Sequence, residues 1–472
     1  MSRTRIVCTI GPATASDDAV LALAGAGMDV ARLNFSHGTH EDHASVAASV
    51  RRAAEAVGRP IAVLQDLAGP KVRTGTIVEG GAMLVSGQPF VLTTRSVEGG
   101  PESVSVTYDG LPGDVETGDT LMLADGAIEL IVESVSRNDI VCRVITGGTL
   151  TSHKGINLPA RTITVPALTE KDRVDVAFGV EIGVDAVAVS FVRSADDIAA
   201  VRAALDGHGS AVPVIAKIEK HEAVANLAEI IEAVDGVMVA RGDLGVEIPL
   251  ETVPLIQKQI IAEANRAAKP VITATQMLKS MERSPRPTRA EVTDVANAVL
   301  DGTDAVMLSE ETAIGSYPVE SVETLRRIAD ATETSGLLAG VARHGCEMTG
   351  ETADESVALA ACRMADDLGA GAIVTFTYSG STARLVAKHR PKQTILAPTP
   401  RSETMHALAF VWGVTPLLAA AGRPATAEDI ELEALRLARE HAGLGEGERI
   451  VITAGLPLYE PGTTNLIKVA TG

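Results

Sequence analysis

Aromatic residues are the scarcest class in this chain: one Trp, four Tyr and six Phe, 2% of 472 residues. Platforms on which nucleic-acid bases could stack are therefore few. Positive charge is short as well, with 41 Lys and Arg against 61 Asp and Glu and a net charge of -20. So acidic a surface repels nucleic acid and anionic lipid, and neither is expected as a partner. Any phosphorylated ligand must be held by local cations working against the global charge. The four cysteines, Cys8, Cys142, Cys346 and Cys362, are scattered, with neither metal-site spacing nor a disulfide framework. No apolar run reaches the ~18 residues of a membrane span. The stretch from Met1 to Gly11 has one short apolar run and then a Gly-Pro break, which is not a signal peptide. These absences predict a soluble protein of a reducing, cytoplasmic compartment.

What the chain does have is apolar material, 46% of residues, enough for several cores. At ~150 residues per domain its length predicts two to four domains. Short Val/Ile/Leu/Ala-rich runs recur, separated by helix-length stretches: Arg5–Ile10, Asp29–Phe35, Ile61–Leu67, Ala186–Phe191, Val214–Ile218, Gly236–Ala240, Pro270–Thr275 and Ala305–Leu308. Most lack strict alternation, as strands buried on both faces do. The intervening segments, Asp17–Ala26 and Asp196–Leu205 among them, have helical spacing and acidic starts. Eight alternating units predict a closed (β/α)8 TIM barrel.

The alternation breaks once. From about Pro70 to Pro166, turn signals such as Glu79-Gly80-Gly81 and Pro112-Gly113-Asp114 separate Val/Thr-rich runs, which predicts a small all-β domain inserted in a barrel loop. Beyond about Gly340, strand-like runs alternate with helices again and predict an open α/β domain. The expected division is a barrel over residues 1–69 and 167–339, an insert over 70–166 and a C-terminal domain over 340–472.

In such a barrel, catalytic groups gather at the C-terminal ends of the strands. Those ends carry Arg32, Asn34, Ser36 and His37; Asp66, then Lys71 and Arg73; Ser190; Lys217 and Glu219; Arg241, Gly242 and Asp243; Thr275; and Ser309, Glu310 and Glu311. Singly, each is an ordinary strand-end polar residue. As a set, cations, carboxylates and hydroxyls converge on one face. Lys217 and Glu219 are two apart on one strand and point the same way. Glu219 and Asp243, ending neighbouring strands, can share a hard cation such as Mg²⁺, which takes one or two carboxylates plus substrate oxygens. The plainer alternative is a strand-end salt bridge from Lys217 to Glu219 or Asp243. Gly242 lets a ligand approach the backbone. Arg32, Arg73 and Lys154 are candidate phosphate clamps. His37 is either a ligand contact or a loop histidine.

Several long motifs then stand in one order: Val30-Ala-Arg-Leu-Asn-Phe-Ser-His-Gly38, Lys217-Ile-Glu-Lys220, Ala240-Arg-Gly-Asp-Leu-Gly-Val246, Ile272-Thr-Ala-Thr-Gln-Met-Leu278, Pro287-Thr-Arg-Ala-Glu-Val-Thr-Asp-Val-Ala-Asn297 and Met307-Leu-Ser-Glu-Glu-Thr-Ala313. Together they resemble the pyruvate kinase family along the whole chain. The resemblance implies transfer of a phosphoryl group from phosphoenolpyruvate to ADP. It implies that Arg32 holds the substrate phosphate, with Ser190, Gly242 and Asp243 beside the substrate. Glu219 and Asp243 would hold Mg²⁺, with Mn²⁺ able to substitute. Lys217 would stabilise transition-state charge, and Thr275 would sit in the path of the proton delivered to the enolate. Asn34, Phe35, Ser36, His37, Arg73 and Lys154 would contact the nucleotide phosphates of ADP or ATP. The family also implies that the insert is a small β-barrel closing as a lid, that the C-terminal α/β domain is regulatory, and that the chain forms a homotetramer.

One loop departs from the family's commoner form. Asn34, Ser36, Asp66 and the carbonyl of Leu67 match its K⁺ ligands, but the loop reads Asp66-Leu-Ala-Gly-Pro-Lys71 rather than Asp-Thr-Lys-Gly-Pro-Glu. An ammonium at Lys71 can supply the positive charge itself, so activity is expected not to depend on K⁺; the alternative is that Lys71 points to solvent. Thr377, Ser379, Gly380, Ser381 and Thr382 follow a strand and open a helix. They resemble the family's effector-phosphate loop, although simple N-capping would use the same residues. With only Arg384 and Lys388 as nearby cations, AMP or a sugar monophosphate is expected over fructose 1,6-bisphosphate. Two other classes remain: a Mg²⁺ barrel enzyme that makes enolates, such as a phosphoenolpyruvate mutase or an aldolase, and a non-catalytic phosphometabolite sensor. The sensor would be expected to lack one of Lys217, Glu219, Asp243 or Thr275, and all four are present.

Overall fold

A computed structural model of the chain describes residues 3–159, 164–337, 352–419, 426–455 and 464–472. Three strands open it: β1 (Arg5–Ile10), β2 (Val30–Asn34) and β3 (Ala62–Asp66). An insert follows, with β4 (Ala82–Leu84), β5 (Pro89–Thr93), β6 (Ser103–Ser105), β7 (Thr120–Leu123), β8 (Ile128–Val135), β9 (Asp139–Thr146), β10 (Gly148–Leu150) and β11 (Ile156–Asn157). The first series then resumes with β12 (Ala186–Val189), β13 (Val214–Ile218), β14 (Gly236–Ala240), β15 (Val271–Ala274) and β16 (Ala305–Leu308).

The first three and last five of these strands close into one parallel barrel, ordered β1-β16-β15-β14-β13-β12-β3-β2. Parallel strands need crossovers, and helices supply them, each burying an apolar stripe on the sheet. The register is pinned by apolar residues on both faces. Val7, Leu64, Ile215, Met238 and Met307 fill the interior; Ile6, Val63, Ile218 and Val239 pack outward under the helices. Fully burying one such side chain stabilises the fold by about 1.5–3 kcal/mol. Helix starts are set by local chemistry: Thr39 with Asp42, Thr169 with Asp172 and Thr288 with Glu291 form reciprocal capping boxes.

The insert is a six-stranded sheet, β11-β7-β8-β9-β5-β6, and a two-stranded ribbon, β10-β4, curled round one apolar core that includes Phe90, Leu121, Leu130 and Ile140. Its root at the barrel is a tight passage. Gly69 has φ +65°, and a Cβ there would stand 2.9 Å from the Phe191 ring, so both backbone and space require glycine.

The C-terminal domain has β17 (Ala372–Thr375), β18 (Thr394–Thr399), β19 (Val414–Leu418), β20 (Arg449–Gly455) and β21 (Thr464–Thr471), in the order β19-β18-β17-β20-β21 with only β21 antiparallel. The boundary expected near residue 340, like Cys346, lies outside the described residues. This domain seals the lower end of the barrel: Ala409 and Phe410, on a short 3-10 turn, belong to the same buried cluster as the barrel interior. No described helix is long and apolar enough to cross a membrane.

Candidate active site

The upper strand ends bring a charged cluster together. Asp66 closes β3 with its side chain buried. Arg32, from β2, donates through Nε to Asp66 Oδ2 at 2.6 Å and through Nη1 to Thr9 Oγ1 at 2.9 Å. Lys217, from β13, stands 3.3 Å from Asp66 Oδ1 and 2.8 Å from Glu219 Oε1, and donates to Ser190 Oγ at 2.7 Å. The Ser190 hydroxyl in turn donates to the Leu67 carbonyl at 2.8 Å. The sequence suggests Glu219 or Asp243 as the partner of Lys217. Asp66 joins Glu219 in that role, because β3 reaches the same level of the mouth as β13.

Burial would lower the Lys217 pKa, but the Asp66 and Glu219 carboxylates outweigh it and hold the ammonium above the ordinary lysine range. Asp66 is pushed up by burial, yet Lys217 and Arg32 bring it below the usual carboxylate range. Glu219 goes the other way: burial raises it, Lys217 opposes, and the charge of Asp243 adds to the rise. Glu219 is short of positive charge. Its Oε2 accepts the Phe191 N–H at 2.8 Å, while its Oε1 faces the Lys217 ammonium at 2.8 Å. A buried carboxylate whose pKa is raised by a second carboxylate, even with an ammonium beside it, suits a shared hard dication. Glu219 and Asp243 therefore fit Mg²⁺. Among the described residues, His221, Glu222 and Glu247 form another grouping of metal-type ligands. There the Lys220 ammonium lies 2.9 Å from Glu247 Oε2.

Thr275 stands just past β15 with φ +69°, and Gln276 is next at φ +57°. For a β-branched residue this is a strained conformation, costing about 1–3 kcal/mol. It aims the Thr275 hydroxyl at the start of the helix that follows the neighbouring strand β14: Oγ1 accepts the Gly242 N–H at 2.8 Å and donates to the Ala274 carbonyl at 2.6 Å. Gly242 leaves open backbone there, a Cβ being 3.6 Å from Thr275.

Lys71 turns into the mouth and lies 3.2 Å from Asp243 Oδ1, three-quarters buried. It does not point to solvent. The Leu67 carbonyl is occupied by Ser190, and Asn34 Oδ1 accepts the Ser36 N–H at 3.1 Å. Phe35 is not brought to the mouth. It is 3% exposed and stacks on the His43 ring at 4.1 Å under the barrel helices. Its N–H donates to the Asp66 carbonyl and its own carbonyl accepts from Lys171. Strand alternation explains this: Phe35 lies two residues past Leu33 and shares its outward-facing cluster. His37 is exposed, with its carbonyl accepting from His43. Arg73 and Lys154 lie on facing segments of the insert, where the Thr74 N–H donates to the Lys154 carbonyl and Arg73 Nη1 to the His153 carbonyl at 3.1 Å. Glu311, a strand-end carboxylate in the sequence, is structural: it accepts the N–H groups of Ser309 and Leu278.

In the C-terminal loop, Gly380 has φ +82° and donates its N–H to Thr377 Oγ1 at 3.0 Å. The helix Ser381–Ala387 starts there, and the Thr382 and Thr464 hydroxyls are 2.7 Å apart. Ser379 and Ser381 lie on the same loop, and Arg384 Nη1 donates to the Ser379 carbonyl at 3.3 Å.

A parallel barrel whose mouth combines a buried lysine, an arginine clamp and two carboxylates fit for a dication defines an enzyme class that works on anionic substrates beside a hard metal ion. The comparisons with known proteins narrow this. Residues 1–322 match the family described as the pyruvate kinase barrel domain, and residues 355–470 the pyruvate kinase alpha/beta domain. A pyruvate kinase from Geobacillus stearothermophilus is 47% identical over 470 residues, covering 99% of this chain and 80% of that protein. Pyruvate kinase 2 of Synechocystis sp. is 47% identical over 471 residues, covering 99% and 79%. The crystal structure of a pyruvate kinase from Cryptosporidium parvum superposes with a TM-score of 0.92 at 38% identity, covering 100% of this chain and 96% of that one. The chain belongs to the pyruvate kinase family, and it is a phosphotransferase.

Proposed function

We propose that this enzyme transfers the phosphoryl group of phosphoenolpyruvate to ADP, giving pyruvate and ATP, as a step of glycolysis in the cytoplasm. The observation that carries the reading is the Lys217 ammonium wedged between Asp66 and Glu219, with the charge of Asp243 raising Glu219. Phosphoryl transfer asks little covalent help of a protein; it asks for alignment and neutralisation of spread charge. Arg32 is oriented from behind by Asp66 and Thr9, which leaves its Nη2 for the substrate phosphate. Lys217 neutralises the phosphoryl group and then the enolate. Thr275 relays a proton from water to the enolate carbon, being too weak an acid to act alone. Ser190, Gly242 and Asp243 border the substrate. Arg73, Lys154 and the Asn34–His37 segment meet the nucleotide, Phe35 serving as their packing anchor. Closure of the insert excludes water, which would otherwise take the phosphoryl group.

Glu219 and Asp243 would hold Mg²⁺ or Mn²⁺, which would supply positive charge against the developing negative charge of the transfer. Lys71 on Asp243, and the internal bonds of Leu67 and Asn34, support activity without K⁺. The loop Thr377, Ser379, Gly380, Ser381 and Thr382 would take a monophosphate activator, AMP or a sugar monophosphate, and the working form would be a homotetramer.

Pyruvate formation from phosphoenolpyruvate, ADP and Mg²⁺ in a K⁺-free buffer tests the core reading. Turnover that requires ADP and changes little when K⁺ is titrated in is the expected result. ADP-independent chemistry would favour an enolate-forming barrel enzyme instead. Lys71→Glu should create a K⁺ response; an unchanged K⁺ profile would remove Lys71 from that role. Calorimetry should show a monophosphate binding more tightly than fructose 1,6-bisphosphate, and the opposite order would refute the effector assignment.

A further inference from the structure

The strained turn at Thr275 does not hold itself. Neither Thr275 nor Gln276 is glycine, and both have left-handed backbones, so something outside the turn must fix them. The group that does so is Arg241, the first residue of the helix Arg241–Glu247 after β14. Its guanidinium donates through Nε to the Ala274 carbonyl at 3.1 Å and through Nη2 to the Thr275 carbonyl at 2.7 Å. The third nitrogen, Nη1, donates to Asp294 Oδ1 at 2.7 Å. Arg241 is 14% exposed and therefore well fixed. One planar fork thus spans two successive carbonyls of the turn and is anchored from a separate helix. A lysine could not reproduce this, because a single ammonium lacks the fixed fork.

The placement has a chemical consequence. The Ala274 carbonyl that Arg241 holds also accepts the Thr275 hydroxyl proton. Arg241 therefore sets both the backbone of Thr275 and the direction of its O–H, with the Gly242 N–H fixing the other side of the oxygen. We infer that Arg241 is a positioning residue for proton transfer at the enolate carbon, acting through Thr275. The inference rests on the reading of Thr275 as the proton relay. Arg241 touches neither substrate nor metal in this role.

Exchange of the pyruvate methyl protons with D2O, in the presence of Mg²⁺ and ATP, reads the proton step by itself. In that exchange a methyl C–H bond breaks, the proton passes through Thr275 to solvent, and the enolate takes a deuteron back. Arg241→Lys should slow exchange by about 10²-fold, the usual cost of misplacing a catalytic group by an ångström, while the KM for ADP stays put. The double variant Arg241→Lys/Thr275→Ala should exchange no more slowly than Thr275→Ala alone, since a group that acts through another has nothing left to position. Additive losses would overturn the inference, as would normal exchange in Arg241→Lys. Normal exchange in Thr275→Ala would instead strike the relay reading itself, and the role of Arg241 with it. If Arg241→Lys fails to fold, Asp294→Asn, which loosens the anchor without touching the turn, should slow exchange in the same direction; unchanged exchange there also overturns the inference.

Discussion

The two ends of the barrel are made from the same strands and both carry carboxylates, yet those carboxylates live under opposite conditions. At the lower end Asp29, Asp185, Asp235 and Asp304 stand just before β2, β12, β14 and β16. Each accepts the backbone N–H of a strand beside it: Ile6, Val63, Val214 and Val271 respectively, at 2.6 to 3.0 Å. Each also has an arginine, namely Arg59, Arg51, Arg202 and Arg390. The pattern repeats every second strand round the barrel. Burial works to raise Asp185, but His406 and Arg51 outweigh it and hold it below the usual carboxylate range. At the upper end Glu219, just as buried, is raised, because the charge of Asp243 adds to burial and Lys217 does not offset the two. The lower end is electrostatically complete; the upper end is completed only by a ligand. This is the physical form of the division between a stabilising and a catalytic face of a barrel.

Four experiments would break or sharpen that contrast. Lys217→Met at the upper end should lower kcat for pyruvate formation by about 10³-fold, the loss typical of one central charge stabiliser, with the circular dichroism spectrum retained. A loss below tenfold would mean that the cluster is structural. Asp304→Asn at the lower end should do the reverse. It leaves Arg390 buried without its counter-charge and should cost about 3–5 kcal/mol in denaturant unfolding, with kcat unchanged at 25 °C; a fall in kcat at full stability would contradict the separation of the two ends.

His389, in the C-terminal domain, has neither arrangement. Its Nε2 is buried without a partner, and burial, aided by Lys388, pushes its pKa down to about 4. The unfolded chain takes up this proton near pH 6.5, and the folded one only near 4. Stability from His389 is therefore complete above pH 6.5 and is lost as pH falls toward 4, by about 3 kcal/mol at most. His389→Gln should flatten that limb of the stability profile, and an unaltered limb would place the acid sensitivity elsewhere. The smallest effect is expected at Phe35. Phe35→Leu should cost about 1 kcal/mol of stability with little change in the KM for ADP. A large rise in that KM would return the Phe35 side chain to the nucleotide site.

Much of this is legible in the residues. All eight barrel strands lie within two residues of the apolar runs, because a strand buried on both faces must be apolar throughout and its ends cannot be. The helix expected over Asp17–Ala26 has those bounds, since Ser16 caps one end and Gly27 closes the other. Lys217, Glu219, Asp243 and Thr275 stand out because polar groups at the C-terminal end of an apolar run mark the barrel mouth. Other features are harder to find. Asp66 matches a K⁺ ligand in the sequence, whereas in the fold it stands between Arg32 and Lys217. Thr9, which orients Arg32, lies inside a strand and carries no signal of its own. Phe35 sits amid a motif of polar residues, but its ring packs against His43. The lower-end aspartates do leave a trace, an Asp at or immediately before the start of every second apolar run, which a search for period-two features along the runs would catch.

The sequence by itself determined the alternation of apolar runs and helices, the break that houses the insert, and the residue types at each strand end. All three arise from local propensity and from the requirement that buried strands carry apolar side chains. Tertiary structure alone decided which charges meet. Asp66 and Lys217 are 151 positions apart in sequence and become partners only because closure of the barrel brings β3 and β13 to either side of β12 at one level. In the same way, Arg241 reaches the Thr275 turn only because β14 and β15 are neighbours. Pairings of this kind depend on distance and burial in three dimensions, and these set each group's protonation and reach.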